Sequence, residues 1–518
     1  MSRVHRASIA AAFAYLQFSL TILVGIVMVP FVLDRIGPTL YGYWLASGEV
    51  LAYAAMADLG ILGVMPWMIA QADGRKDRDA IRQLLSTGFV AALIVSGLYL
   101  GLVLVLWNIA PTVLRLQPLE RDLIAGPLAL IAGVTVVVLP MRVAYSALIG
   151  LQDVRYCGIM TTVSWAIDAA LTIILLLNGF GLWSLAIGAS VPSALSAAAA
   201  VVRLRILAPD LLQSWPRPSR RAITTLFKEG GGGWLAAWGW RLASATDAIV
   251  LASLGHPASI TVLAMTTKLG QMLTNMAWVP GDSGLVGLAQ LAGEGNTARL
   301  RAAVSALSRV YLTLATVAAC VVLAANPAFV KGWVGIEFFG GNRVNAVLAL
   351  VVIAATAAHA LSATVSVLGK RLYVGTVTLA AGVAHVAGAY LMARRLGLIG
   401  IPLAGLIVQA VVLVPALLPA LRTATGMPFS EMIRTVVAPW AARAMPLLTF
   451  AAALGLAASQ VPVWIAIPLG GVVGLAALFL SRRLILDYPA VAQVIRARLA
   501  IFRLDGLLLV DPPQQPNV

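Results

Sequence analysis

One pattern occurs twice in this chain, at an offset of 218 to 221 residues. Val32-Leu-Asp-Arg-Ile-Gly-Pro38 is echoed by Val250-Leu-Ala-Ser-Leu-Gly-His-Pro257. Gly74 followed by Arg78 is echoed by Gly295 followed by Arg299. Ala147-Leu-Ile-Gly150 is echoed by Ser366-Val-Leu-Gly369, and Leu185-Ala186 by Leu403-Ala404. The matches keep their order along the chain. The copies consist mainly of apolar runs of about twenty residues, each long enough to cross a ~30 Å hydrocarbon core. Duplicated apolar segments are the sequence mark of a secondary transporter, whose substrate site lies between the repeats.

Composition agrees. Hydrophobic residues make up 61% of the chain and charged residues 11%, against roughly 25% charged in a soluble domain. No long polar stretch offers a soluble catalytic domain, so the chain reads as a non-enzyme. Arg3 and Arg6 precede an apolar run that continues to about Leu33. That run is too long for a signal-peptide core and reads as the first membrane helix. Cys157 and Cys320 make neither a disulfide framework nor a metal site. Nothing points to nucleic acid as a partner.

The expected architecture is an all-α polytopic membrane protein of about fourteen helices. They are placed at 7–33, 43–69, 83–107, 122–147, 158–178, 181–207, 230–252, 258–280, 299–323, 342–368, 371–392, 397–421, 434–456 and 461–481. Residues 1–207 form a first six-helix lobe, 208–229 a linker, 230–421 a second lobe, 422–481 two extra helices and 482–518 a tail. The tail holds a candidate amphipathic helix at Tyr488–Arg503 and a candidate disordered end. Lys and Arg set the orientation: twenty-four lie on one side, seven on the other and five within helices. The basic side is cytoplasmic by the positive-inside rule, so both termini and the linker are expected inside. Two six-helix repeats then share one orientation, about a pseudo-two-fold axis along the membrane normal.

Leu33-Asp-Arg-Ile-Gly-Pro-Thr-Leu-Tyr-Gly-Tyr-Trp44, Ala57-Asp-Leu-Gly60 and Tyr145-Ser-Ala-Leu-Ile-Gly-Leu-Gln152 resemble the first lobe of bacterial polysaccharide flippases. Arg241 through Thr246-Asp247 to Leu254-Gly255, and Leu291-Ala-Gly-Glu-Gly295, resemble their second lobe. These are the O-antigen and exopolysaccharide exporters of the multidrug/oligosaccharidyl-lipid/polysaccharide exporter superfamily. The resemblance implies two six-helix lobes around a cavity that opens alternately to either side. It implies a cargo of oligosaccharide on undecaprenyl pyrophosphate, moved from the cytoplasmic to the periplasmic leaflet of the bacterial inner membrane. Membrane lipids and other polysaccharide-assembly proteins are the implied partners. A lipid II flippase, a multidrug or cation antiporter of the same superfamily and a membrane polysaccharide polymerase are the competing readings.

Charges at bilayer depth select the candidate site. The midplane lies about eleven residues into a helix at ~1.5 Å per residue. Arg241, Lys268 and Asp168 fall near that depth and Asp58 somewhat beyond it. Ionisable groups there are expected to face the bundle interior or a wet cavity. Trp234, Trp238 and Arg241 sit at i, i+4 and i+7 on one helical face. Arginine can fork onto phosphate oxygens, and indoles offer flat surfaces to sugar rings. The alternative makes Trp234 an interfacial anchor, packs Trp238 or turns it to lipid, and pairs Arg241 with an acid. Arg142 is a further candidate for substrate binding. Asp58, Asp168, Asp247 and Glu49 are candidates for coupling to protons or sodium, and no other cofactor is expected. The repeat offset matches Glu49 to Lys268. His359 and His385 read as packed histidines rather than proton relays.

Overall fold

The computed structural model describes residues 24–486, apart from 26, 57–59, 214–215, 294–295 and 459–461. Every element among the described residues is helical. The chain divides into two compact units, Met1–Thr261 and Val262–Val518. Most of the expected first helix, Asp58, the segment Tyr488–Arg503 and the C-terminal end lie outside the described residues.

The first unit contains α1 (27–36), α2 (Pro38–Ala55), α3 (Ile61–Gly74), α4 (Arg78–Val113), α5 (Pro118–Gly150), α6 (Val154–Leu177), α7 (Leu182–Leu207), the single turn α8 (Asp210–Gln213) and α9 (Arg220–Ser253). Local chemistry sets the starts. The Asp77 side chain accepts from Ala80 N at 2.9 Å and caps α4. Gln117 and Glu120 form a capping box at the head of α5. Helix α5 is the centre of this unit and packs on α3, α4 and α7. The core joins Met65 and Ile69 to Leu85, Ala92, Val143, Leu148 and Leu204. The outward face of α4 instead exposes Ile94, Leu98, Leu104, Val105 and Ile109. An apolar exterior over a packed interior suits a hydrocarbon solvent.

Two expected boundaries change. The helix expected over 43–69 is broken: α2 ends at Ala55, and α3 starts only after Gly60, whose φ is +75°. Residues with a Cβ rarely adopt that conformation. The helix expected from 230 starts ten residues earlier, at Arg220, where the Ser219 side chain accepts from Ala222 N. Gly230–Gly233 therefore lies inside a helix. Each glycine there costs about 1 kcal/mol relative to alanine, so packing must offset the loss. Gly230 is buried, and a Cβ on Gly60 would lie 3.0 Å from its carbonyl oxygen. The bare backbones let α3 and α9 meet.

The second unit contains most of α10 (Pro257–Gly293), then α11 (Thr297–Trp333), α12 (Asn342–Val365), α13 (Arg371–Leu396), α14 (Gly400–Ile407), α15 (Val414–Thr425), the short α16 (Phe429–Met432), α17 (Ala438–Ala458) and α18 (Val463–Leu486). Helix α11 is its axis, packed by α12, α17 and α18. Cys320 and Ala324 of α11 sit with Ala451 of α17 and Val473 and Ala477 of α18. The two helices outside the repeat thus build onto this core. Asn326 Nδ2 donates to Thr266 O at 2.9 Å and Asn345 Oδ1 at 2.8 Å, tying α10, α11 and α12 through buried polar groups. Among the described residues, two π-helical stretches, Val408–Leu413 and Ile433–Val437, interrupt this unit, and the chain kinks at Gly369, where φ is +92°.

Among the described residues, eight helical stretches are long and apolar enough to cross a membrane. One of them, Asn342–Thr425, runs through several helices. The chain is thus multi-pass in character. Helices α2, α3, α9 and α10, which carry Glu49, Arg241 and Lys268, are not among the eight.

Candidate functional site

Helices α2 and α9 lie face to face in antiparallel register within the first unit. Gly60 meets Gly230, Met56 meets Trp234, Tyr53 meets Trp238 and Glu49 meets Arg241. The spacing explains the match. Glu49 and Tyr53 stand at i and i+4 on α2, and Trp234, Trp238 and Arg241 at i, i+4 and i+7 on α9, so each set forms one face; Met56, just past the end of α2, adds its carbonyl.

At one end, Trp234 Nε1 donates to the Met56 carbonyl at 2.8 Å. The Trp234 and Trp238 rings are 6.0 Å apart, edge to face, and Trp238 lies 5.8 Å from the Tyr53 ring. The Tyr53 hydroxyl donates to the Arg241 carbonyl at 3.2 Å and bonds the Thr246 hydroxyl. At the other end, Arg241 Nη2 is 2.9 Å from Glu49 Oε2. Asp247 acts electrostatically on both Glu49 and Tyr53.

The ion pair is close but poorly aligned. Among the described residues, Glu49 Oε2 has no aligned hydrogen-bond donor, and Arg241 Nε and Trp238 Nε1 have no acceptor. Both charged side chains keep about a third of their surface, 34% for Arg241 and 32% for Glu49. Among the described residues two N–H donors are thus unspent, the indole Nε1 of Trp238 and the Nε of the Arg241 guanidinium itself. A buried donor without an acceptor costs about 1–3 kcal/mol.

The structure joins Glu49, Trp234, Trp238, Arg241 and Asp247 in one cluster. The Glu49–Arg241 pair falls between residues that the repeat offset did not match. Asp168 is elsewhere in the first unit, accepting from Thr172 at 3.4 Å beneath Gly188 of α7. Arg142 is exposed on α5. Lys268 belongs to the second unit, half-buried on α10, with no carboxylate within 4.0 Å among the described residues. No group of three or more His, Cys, Asp or Glu side chains poised for a metal occurs among the described residues.

No protein-family model matches the sequence, and no curated protein does. Solved structures do match. A multidrug resistance MATE family transporter of the MOP superfamily, in an inward-facing conformation, aligns with a TM-score of 0.60 at 16% identity. The alignment covers 81% of this chain and 96% of that one. The lipid II flippase MurJ, in an inward closed conformation, aligns at 0.60 and 13% identity, covering 92% of this chain and 99% of that one. A MOP-superfamily transporter from Pyrococcus furiosus, described by a binding pocket of reverse polarity, aligns at 0.55 and 14% identity, over 81% and 96%. The fold is that of the MOP-superfamily transporters. The similar structures are transporters and a flippase, none of them an enzyme.

The sequence reading missed one group in the second unit. Asp282 of α10 lies between Tyr311 of α11 and His359 of α12. The helix expected over 258–280 stops two residues short of Asp282. The structure carries α10 on to Gly293, which brings Asp282 into the helix. The sequence pattern makes His359 a packed histidine. His359 is packed, and it is also paired with an acid.

Proposed function

We propose that this protein is a flippase for a lipid-linked oligosaccharide with a pyrophosphate head group, working by alternating access. One observation carries the reading: Arg241 pairs with Glu49 at 2.9 Å beside Trp234 and Trp238, while Arg241 Nε and Trp238 Nε1 have no acceptor among the described residues; in this reading the anion takes the place of Glu49. A pyrophosphate and many hydroxyls cannot shed their water into hydrocarbon unaided. Arg241 binds the phosphate oxygens as a fork and Glu49 is its partner when no cargo is present. Trp234 and Trp238 give the adjoining sugar a flat surface. Lys268 is a second anion contact on its own helix, and Arg142 a peripheral one. Glu49, Asp58, Asp168 and Asp247 are the acids through which a proton or sodium gradient acts in this reading.

The pathway is surface polysaccharide synthesis at the bacterial inner membrane, with both termini cytoplasmic, as the charge bias and the flippase resemblance suggest. A second reading is lipid II itself, favoured by the extent of the match to the lipid II flippase, 92% of this chain against 81% for the multidrug transporter. Deletion separates the two. Loss of a polysaccharide flippase strands lipid-linked oligosaccharide in the inner leaflet and blocks one surface polymer. Loss of a lipid II flippase instead stops peptidoglycan growth. Normal leaflet distribution of both lipids, with no redundant transporter present, contradicts either reading.

A further inference from the structure

A half-open cavity of about 770 Å³ lies among α4, α5, α7 and the α8 turn of the first unit. Its walls include Phe89 of α4, Met141 and Ala144 of α5, Val201 and Arg205 of α7 and Leu212 of α8. Among the described lining residues Arg205 alone carries a polar side chain. None of the residues in the Glu49–Arg241 cluster lines this cavity. Its volume is in the roughly 300–1,000 Å³ range of small-molecule sites.

The cavity sits where three helix ends converge. Helix α4 begins at Arg78, α5 ends at Gly150 and α7 ends at Leu207. Phe89 is eleven residues from the first of these ends, and the lining residue Pro140 is ten from the second. At ~1.5 Å per residue the cavity therefore reaches ~15 Å inward. That is half of a ~30 Å hydrocarbon core, the depth of one leaflet. Val202 and Ile206 of α7, each next to a lining residue, are exposed, as is Val137 of α5. An exposed apolar rim at this depth suits hydrocarbon rather than water, so the cavity opens beside lipid.

Charge at this end is distributed unevenly. Three acids are taken by other arginines: Arg203 holds Asp153 at 2.7 Å, Arg82 holds Asp79 at 2.7 Å and Arg78 lies 3.9 Å from Asp210. Arg205, in the last turn of α7, is exposed and has no carboxylate within 4.0 Å among the described residues. The mouth of an apolar cavity thus carries a cation that no acid of the first unit neutralises by contact among the described residues.

We infer that this cavity binds an anionic phospholipid, with its phosphate on Arg205 and one acyl chain along α4, α5 and α7. The guanidinium offers a phosphodiester a fork of N–H donors. A basic group at the mouth of a pocket between membrane helices favours an anionic head group. The apolar walls give water few polar partners, whereas an acyl chain makes dispersion contacts along them. Depth selects the occupant. A phospholipid chain fills one leaflet, as this cavity does, and an undecaprenyl tail is several times longer. The inference does not rest on the proposed cargo, because the lipid is part of the surrounding bilayer.

The experiment uses the full chain in phosphatidylcholine nanodiscs containing a minor fraction of a photoreactive lipid. The probe is phosphatidylglycerol, or zwitterionic phosphatidylcholine, with a diazirine halfway along one chain. Peptide mapping after illumination locates the label. The phosphatidylglycerol probe should label segments 85–89, 140–144 and 201–205 about fivefold more than the phosphatidylcholine probe does, the order expected for one arginine at an anionic head group. Both probes should label the exposed 94–105 stretch of α4 equally. Arg205→Gln should remove the preference, whereas Arg155→Gln, which deletes an exposed arginine outside the lining, should keep it. Val201→Trp, which narrows the cavity, should lower labelling of 85–89 and 140–144 in a protein that elutes as wild type. Labelling spread evenly around the first unit overturns the inference, as does a preference that survives Arg205→Gln. Displacement of the probe by undecaprenyl phosphate but not by unlabelled phosphatidylglycerol also overturns it and gives the cavity to a polyprenyl tail. Displacement by inorganic phosphate overturns it too, because the chain then contributes nothing.

Discussion

Replacing Glu49 by Gln tests the displaceable counter-ion. The change keeps the volume of the side chain and removes its charge. Two unit charges 2.9 Å apart attract by about 6 kcal/mol at an effective dielectric constant of ~20. Both side chains are about one-third exposed, so solvent screening and the cost of fixing two flexible groups remove most of that. A net pairing free energy of about 1–2 kcal/mol is left. An anion that binds Arg241 must displace Glu49, so Glu49→Gln should tighten binding of undecaprenyl pyrophosphate about 5- to 30-fold. Equilibrium binding to the purified protein in detergent measures this. Arg241→Ala should abolish the gain, and the double variant should bind no better than Arg241→Ala. Equal or weaker binding by Glu49→Gln, with Arg241 intact, would refute the competition.

Other consequences follow from the same contact. Trp234→Phe loses the 2.8 Å bond to Met56 and should cost about 0.5–1.5 kcal/mol in chemical denaturation, while keeping an aromatic face for a sugar. Gly60→Val meets both a φ of +75° and a carbonyl 3.0 Å from the new Cβ; it should lower the thermal midpoint by several degrees, whereas a surface glycine such as Gly74 tolerates valine. Reporter fusions after Gly74, Gln213 and Arg483 should all report the cytoplasm, and an outside signal at Gln213 would break the orientation argument.

Parts of this structure were legible in the residues and parts were not, for physical reasons. The Trp234, Trp238 and Arg241 face followed from helical spacing alone, and the cluster uses it. Its partner face, Glu49 and Tyr53, has helical spacing too, but nothing in one sequence says which two faces meet across more than 180 residues. The turn at Gly369, where φ is +92°, fell where the break between 342–368 and 371–392 was expected. The break at Gly60 was hidden because apolar residues continue on both sides of it. The helix expected over 258–280 runs on to Gly293, and Gly281 accepts the Tyr311 ring. The π-helical stretches leave no mark that composition or period can show.

The central claim of the proposed function is that Arg241 binds the phosphates of a lipid-linked cargo. The direct measurement is flipping of a fluorescent undecaprenyl-pyrophosphate oligosaccharide by the purified protein in liposomes, read as loss of fluorescence to an impermeant quencher. Wild type should flip it. Arg241→Ala should slow flipping by about 30-fold or more, the order expected when one partner of a charge-assisted contact is removed. Arg241→Lys should recover only part of the rate, because a point charge replaces a fork. An Arg241→Ala, Lys268→Ala double variant that is folded and monodisperse should show no flipping above empty liposomes. Flipping by that variant at the wild-type rate would contradict the account.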